Sequence, residues 1–119
     1  MKPKLMKGAF VFCSVSKKKF SQLKVCPLLV FEESEGTTLI LKKEEADKNK
    51  LKYTSVWCCI KLQVNSDLSA IGFLAKITEK LSKNQISVNA VSAFFHDYIF
   101  VPQNKAKKTV RLLKQITKL

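Results

Sequence analysis

The sequence predicts an α+β protein in which helices cover one face of an antiparallel sheet. Two observations carry this prediction: apolar side chains alternate over residues 56–64, and they recur every three or four positions over residues 70–81 and 106–116. From residue 56 onward the predicted order is strand, helix, strand, strand, helix. This order is the ferredoxin-like βαββα plait without its fourth strand.

The first half of the chain contains two predicted strands and a short helix. Residues 10–15 are an apolar run rich in aromatic and β-branched side chains, which is typical of a strand. Residues 17–24 are predicted to be a polar connection, and a glutamate-rich turn precedes a second strand over residues 37–41. A charged segment, residues 43–50, predicts a helix of about two turns.

The unpaired sheet edge of a plait without its last strand is a liability that proteins normally cover. We therefore expect the N-terminal strand pair to complete the sheet. The predicted organisation is an incomplete half, residues 1–55, followed by the βαββα half, residues 56–119.

The second half begins with a half-exposed strand that ends near Val64. Asn65, Ser66 and Asp67 then offer side chains that can cap a helix. The predicted buried positions of that helix are Ala70, Leu74, Ile77 and Leu81. Residues 85–95 predict the next strand, and its common face consists of Ile86, Val88, Ala90 and Phe94.

A tight turn at His96 and Asp97 leads to the last predicted strand, residues 98–101, which Pro102 ends. Asn104 is the predicted cap of the final helix. The predicted buried side of that helix contains Ala106, Val110, Leu113 and Ile116. Its opposite side is basic and contains Lys107, Arg111, Lys114 and Lys118.

The composition alone names no function, but the cysteine usage favours a cytoplasmic protein. Lysine and arginine number 22 against 9 acidic residues, a formal charge of +13, yet Arg111 is the single arginine. A solvated lysine-rich surface explains this excess; the alternative is an RNA-binding module of the same topology, in which the last helix contacts phosphates. The four cysteines lack metal-ligand spacing, and no apolar run approaches the ~20 residues of a membrane-spanning helix. We expect reduced thiols, no metal, no cofactor and no membrane association.

Three blocks of the sequence resemble the ACT-domain family, in particular its small bacterial ACT-like proteins. They are Phe-Glu-Glu-Ser-Glu-Gly-Thr-Thr at 31–38, Val-Asn-Ser-Asp-Leu-Ser-Ala-Ile-Gly at 64–72 and His-Asp-Tyr-Ile-Phe-Val-Pro at 96–102. The chain departs from the family pattern at Asn65 and Tyr98, where histidines are usual, and at Ser69, where an acidic residue is usual.

The resemblance implies a regulatory or sensor module that binds a small molecule, an amino acid above all, and that catalyses no reaction. ACT domains pair side by side and hold the ligand near the loop between the first strand and the first helix, so a homodimer is implied. The implied ligand-binding residues are Asn65, Ser66, Asp67, Leu68, Ile71, Gly72 and Asn89. Amides at a helix N-terminus can hold a carboxylate, and Asp67 could meet the ammonium group. The alternative interpretation is that Asn65, Ser66 and Asp67 only cap the helix.

A secondary set of candidate binding residues is Glu32, Glu35, Gly36, Thr37 and His96. The glutamates could meet a cationic group or pair with neighbouring lysines. His96 is the single histidine, and no nucleophile motif, carboxylate pair or metal-ligand pattern accompanies it. The sequence therefore predicts no catalytic residue. A role in protein–protein association alone is a further alternative.

Overall fold

The computed structural model describes residues 2–63 and 72–116, which belong to two compact units. The N-terminal unit is Gly8–Val56, and the C-terminal unit combines the residues up to Lys7 with those from Trp57 onward. Within the described ranges, no helix is both long enough and apolar enough to cross a membrane. The predicted division of the chain into domains of residues 1–55 and 56–119 stays a prediction.

The described residues form seven strands and four α-helices. In chain order they are β1 Lys2–Leu5, β2 Phe10–Val15, α1 Lys17–Gln22, β3 Leu29–Glu33, β4 Gly36–Lys42, α2 Lys43–Lys48, β5 Trp57–Gln63, α3 Phe73–Lys83, β6 Asn89–Ser92, β7 Asp97–Pro102 and α4 Ala106–Ile116. A turn of 3₁₀ helix, Gln103–Lys105, precedes α4.

The N-terminal unit contains a three-stranded antiparallel sheet in the order β3-β4-β2. Alternate side chains of β2 and β4 form its core with residues of α2 and the segment after it: Val11, Cys13, Val15, Leu39, Leu41, Ala46 and Leu51. The predicted polar connection over residues 17–24 is wrong, because α1 forms there. The Ser16 hydroxyl oxygen accepts a hydrogen bond from the Lys19 amide at 3.1 Å, and Phe20 packs against the core.

The C-terminal unit contains a four-stranded antiparallel sheet in the order β1-β5-β7-β6. One face of β5 and β7 packs against α3 and α4, which gives a single core of Ile60, Leu62, Ile77, Leu81, Ile86, Ile99, Val101, Leu112 and Leu113. The predicted α+β, ferredoxin-like fold is thereby confirmed, with both helices on one face of the sheet.

The strand that fills the fourth position of this plait is β1. Leu5 lies opposite Ile60 and Lys2 opposite Gln63, and the Met6 amide donates to the Cys59 carbonyl oxygen at 2.8 Å. The sequence analysis assigned no strand here, because Pro3 and the alternating lysines give little strand signal.

Both units contain the same succession of elements, strand, helix, strand, strand, helix. In each unit the third strand lies between the first and the second. The chain is therefore an internal repeat of one supersecondary unit, although the two sequences show no repeated motif.

Two boundaries in the second half differ from the prediction. The strand expected over residues 85–95 is only Asn89–Ser92. Phe94 was expected on its packed face but is 92% exposed in the turn that follows, where the Ala93 amide donates to the His96 carbonyl oxygen at 3.0 Å. Asn104 lies inside the 3₁₀ turn instead of capping α4. In α3, Ile77 and Leu81 are fully buried as predicted.

Candidate functional site

The first candidate site lies where β5 leads toward α3, at one end of the C-terminal sheet. Leu62, near the end of β5, pairs with Asp97 of β7, which pairs with Ser92 of β6. The β6–β7 turn, with Phe94, Phe95 and His96, is therefore at the same end of the sheet as the exit of β5. The exit of β5 and the β6–β7 hairpin turn thus share this end.

The start of α3 has amides that no side chain of the described residues caps, an arrangement that suits an anion. Gly72 occupies the N-cap position with φ +79°, and within the described residues no side chain caps this end or places a carboxylate in the first turn. The Lys76 amide donates to the Gly72 carbonyl oxygen at 3.0 Å, so the helical ladder begins at once. The preceding amides of the first turn, at the positive end of the helix dipole, can donate hydrogen bonds to a carboxylate from outside.

Glycine is required at position 72 because of its backbone conformation, and not because a side chain there would clash with a neighbour. An ideal Cβ placed there meets no atom within 4 Å, but a side chain would strain a backbone with φ +79°. The glycine predicted as a ligand-binding residue therefore fixes the entry of the chain into α3.

The remaining residues of the predicted ligand set are distributed unevenly. Asn65, Ser66, Asp67, Leu68 and Ile71 lie outside the described residues. Asn89 is exposed at the start of β6, opposite Phe100. It is three register positions from Ser92, about 10 Å along the strand, and hence away from the end where β5 exits. The structure does not bring Asn89 beside Gly72.

Four of the secondary candidates lie together on the β3–β4 hairpin of the N-terminal unit. Glu32 is paired with Thr37, and Glu33 with Gly36. An ideal Cβ on Gly36 would lie 3.0 Å from the Val15 carbonyl oxygen, so the hairpin closely approaches the end of β2. The hairpin can approach this closely only because position 36 lacks a side chain.

The polar groups of this hairpin differ in their environment. The Ser34 hydroxyl donates to the Glu35 carboxylate at 2.8 Å and, with the Glu35 amide, lowers the pKa of that carboxyl group. Thr38 donates to Glu33. Thr37 is fully buried, and its Oγ1 has no hydrogen-bond partner among the described residues. Glu35 is thus an exposed acceptor, whereas Thr37 is a buried group.

His96, the fifth secondary candidate, belongs to the other unit. It is partly buried in the β6–β7 turn, with its ring centroid 6.5 Å from that of Tyr98 in an edge-to-face arrangement. Its carbonyl oxygen closes the turn. These contacts give His96 a structural role in the hairpin.

The thiols and the acidic side chains do not form a reactive centre in the part of the chain that the structure describes. Cys13, Cys58 and Cys59 are buried, Cys26 is exposed, and all four are free. Burial, with a smaller effect of Cys58, raises the pKa of the Cys59 thiol to about 12. Among the described residues, no group of three His, Cys, Asp or Glu side chains could hold a metal ion.

Sequence reasoning missed one prominent feature of this end of the sheet. Phe94 and Phe95 are 92% and 83% exposed, and their rings meet edge to face with centroids 4.9 Å apart. A strand was predicted through both residues because aromatic side chains favour strands. No local signal distinguishes an aromatic turn from an aromatic strand.

Comparisons with known proteins match both halves of the chain. One ACT-domain sequence model matches residues 1–58, and a second matches residues 54–115. The two matches meet at the boundary between the two βαββα repeats. No curated protein matches the sequence.

Several solved structures share the fold. A Vibrio cholerae protein of unknown function, described as a possible transport protein, is 34% identical, with 96% of this chain and 88% of that chain covered and a TM-score of 0.86. An Agrobacterium tumefaciens protein is 20% identical, with coverages of 96% and 87% and a TM-score of 0.73. The ligand-free regulatory subunit of aspartate kinase from Thermus thermophilus is 9% identical, with coverages of 97% and 96% and a TM-score of 0.58.

Proposed function

Because this chain belongs to the ACT-domain family, we propose that it is a regulatory module that binds an amino acid and catalyses no reaction. The regulatory subunit from Thermus thermophilus has the same fold, which supports a regulatory role. We further propose that the protein acts in the cytoplasm as a homodimer, with the ligand held at the interface of the two copies.

The observation that carries this proposal is the start of α3, which no side chain of the described residues caps. Its first-turn amides follow Gly72, and no carboxylate from the described residues compensates the positive end of the helix dipole. An amino acid supplies the missing carboxylate. In the proposed site, Asn65 and Ser66 add hydrogen bonds to this carboxylate, and Asp67 pairs with the ammonium group.

The apolar members of the site would contact the side chain of the ligand. Leu68 and Ile71 have this role in the proposed site, and Gly72 sets the backbone conformation in which the chain enters α3. Asn89 lies about 10 Å along β6 from the end where β5 exits. It therefore fits the site best when it is contributed by the second copy.

Isothermal titration of the protein with each of the twenty amino acids tests the proposal. We expect one chemical class to bind, and Asp67→Asn to weaken its binding about tenfold, equivalent to about 1.4 kcal/mol. Ser66→Ala should weaken binding as well, since it removes a hydrogen bond to a charged group. The matched control is Ser87→Ala, an exposed serine between α3 and β6, which should leave the affinity unchanged.

The absence of heat with every amino acid would contradict the proposal. So would equal affinities of the Asp67 variant and the Ser87 control. Native mass spectrometry of the protein taken directly from cells gives the subunit number and any retained ligand in the same spectrum. If Asn65→His restored binding that the native chain lacked, the chain would be a family member whose role is association with a protein alone.

A further inference from the structure

The outer faces of α3 and α4 form a continuous basic surface that the ligand site does not use. On α3, Lys76, Lys80 and Lys83 recur at intervals of four and three residues. On α4, the cations with the same spacing are Lys107, Arg111 and Lys114. This periodicity places each set on one side of its helix. We call these six residues the α3–α4 basic face.

Two adjoining grooves lie within this face. One, of about 450 Å³, is lined by Lys76, Glu79, Lys80, Lys83, Asn84, Gln115 and Ile116. The other, of about 420 Å³, is lined by Lys107, Val110, Arg111, Lys114 and Gln115. Gln115 lines both grooves, so the groove with the α3 cations adjoins the groove with the α4 cations at this side chain. A partner seated there would meet cations from both helices.

One carboxylate interrupts the basic face, and it is already paired. Glu79 lies 2.9 Å from the Lys83 ammonium group, which lowers the pKa of the Glu79 carboxyl group. No other acidic residue occurs in α3 or α4. The grooves therefore present a strong excess of positive charge to a partner.

We propose that the α3–α4 basic face is a docking surface for the phosphate backbone of double-helical nucleic acid. The cations of each helix span seven residues, about 10 Å along the axis. The axes of packed helices lie about 8–10 Å apart, a distance within the range of the groove widths of a duplex, about 6 and 12 Å. Because five of the six cations are lysines, the contact is to phosphates, without reading of bases.

Among the described residues, Val110 and Ile116 of the groove lining are half-buried and pack against the core, and no large exposed hydrophobic side chain lies on this face. This favours a polyanion over other partners. Protein interfaces depend on buried aromatic and apolar anchors, and a membrane-surface helix inserts its apolar side into the lipid. Here the apolar sides of α3 and α4 are used in the core beneath. The exposed large hydrophobic residues of the described chain lie elsewhere: Leu5, Leu28, Val30, Phe31, Phe94 and Phe95.

Two variants of equal net charge separate this surface from the overall charge of the protein. The groove variant combines Lys76→Gln, Lys80→Gln, Lys107→Gln and Arg111→Gln. The control variant removes four exposed cations from the N-terminal unit through Lys17→Gln, Lys18→Gln, Lys19→Gln and Lys24→Gln. Circular dichroism establishes that both variants keep the native fold.

Binding to a labelled duplex of about thirty base pairs is measured by fluorescence anisotropy between about 50 and 200 mM salt. Six phosphate contacts predict a slope of log K against log salt of about −5 for the native protein and about −2 for the groove variant. We expect the groove variant to bind at least about tenfold more weakly at 100 mM salt, and the control variant to stay within about threefold of the native protein.

Three results would overturn the proposal: equal losses in both variants, no loss in the groove variant, or no binding of the duplex by the native protein. A parallel titration with phosphatidylcholine vesicles containing phosphatidylserine tests the competing partner. Binding to these vesicles that depends on the same four cations, without binding to the duplex, would assign the surface to a membrane. The proposal is independent of the ligand site, because none of the substituted residues belongs to it.

Discussion

Thr37 and Thr109 provide a test in which the same substitution should have opposite effects. Both residues are fully buried. The Thr109 hydroxyl donates to the Lys105 carbonyl oxygen at 2.8 Å, whereas Thr37 Oγ1 has no partner among the described residues. Valine has nearly the shape of threonine and lacks only the hydroxyl group. Thr37→Val should therefore raise the free energy of unfolding, and Thr109→Val should lower it.

The magnitudes follow from the cost of an unpaired polar group. A buried hydroxyl without a hydrogen bond costs about 1–3 kcal/mol, and the net value of a made hydrogen bond is about 0.5–1.5 kcal/mol. Thr37 lies in β4, where valine is favoured, so strand propensity acts in the same direction. We expect a gain of about 1 kcal/mol or more for Thr37→Val and a loss of about 1 kcal/mol for Thr109→Val.

Urea unfolding followed by far-ultraviolet circular dichroism measures both effects. With a slope of about 2 kcal/mol per molar urea, 1 kcal/mol moves the midpoint by about 0.5 M. Thr38→Val, at the neighbouring position of the same strand, shares the gain in strand propensity but loses the exposed hydrogen bond to Glu33, so a rise at position 37 alone assigns the gain to removal of the unpaired hydroxyl. A lower midpoint for Thr37→Val, or shifts of the same sign at positions 37 and 109, would refute the reasoning.

Three further predictions concern sterics, thiol reactivity and pH. Gly36→Ala should destabilise the protein by about 1–3 kcal/mol, measured by urea unfolding, because the added Cβ would lie 3.0 Å from a β2 carbonyl oxygen; an unchanged midpoint would contradict this. Iodoacetamide at pH 8 should label the exposed Cys26 rapidly and the buried thiols, including Cys59 with its pKa of about 12, only after unfolding, as counted by mass spectrometry. The pKa of Asp47 is lowered below 3.8, chiefly by the Lys43 ammonium group. The charged carboxylate therefore contributes fully to the free energy of unfolding above pH 3.8, and this contribution is lost as the pH falls through the lowered pKa. Asp47→Asn should therefore lower the free energy of unfolding at pH 6 more than at pH 3, and an equal loss at both would count against the pairing.

The sequence predicted best where an element is long and packs one apolar face. The buried face of β5, with Ile60 and Leu62, and the buried Ile77 and Leu81 of α3 followed from simple periodicity. The βαββα order could be recognised from that half of the chain, and the family resemblance rested on motifs in both halves.

Short elements fixed by their partners could not be predicted in this way. α1 has six residues, three of them consecutive lysines, and its one clear signal is the capping Ser16. β1 has four residues with Pro3 among them, and it is a strand because β5 pairs with it. Tertiary pairing outweighs local propensity in both cases. The repeated architecture of the two units was missed for this reason.

The candidate site, too, could be predicted from the sequence only in part. Gly72 could be named from a motif, and the structure explains it by its positive φ. The burial of Thr37 and the distance of Asn89 from the exit of β5 depend on strand register, which one sequence without pairing information does not contain.

The position of β1 has a consequence for how the protein is synthesised. Leu5 pairs with Ile60, so the first strand leaves the ribosome some 55 residues before its partner. It stays unpaired while Gly8–Val56 is translated. Closing a loop of this length costs about 3.5 kcal/mol of chain entropy. The N-terminal unit can thus fold during translation, whereas the plait that contains β5 closes last. A circular permutant that moves the first seven residues behind α4 would place the fourth strand of the plait last in the chain. It would also shorten the time for which β1 stays unpaired.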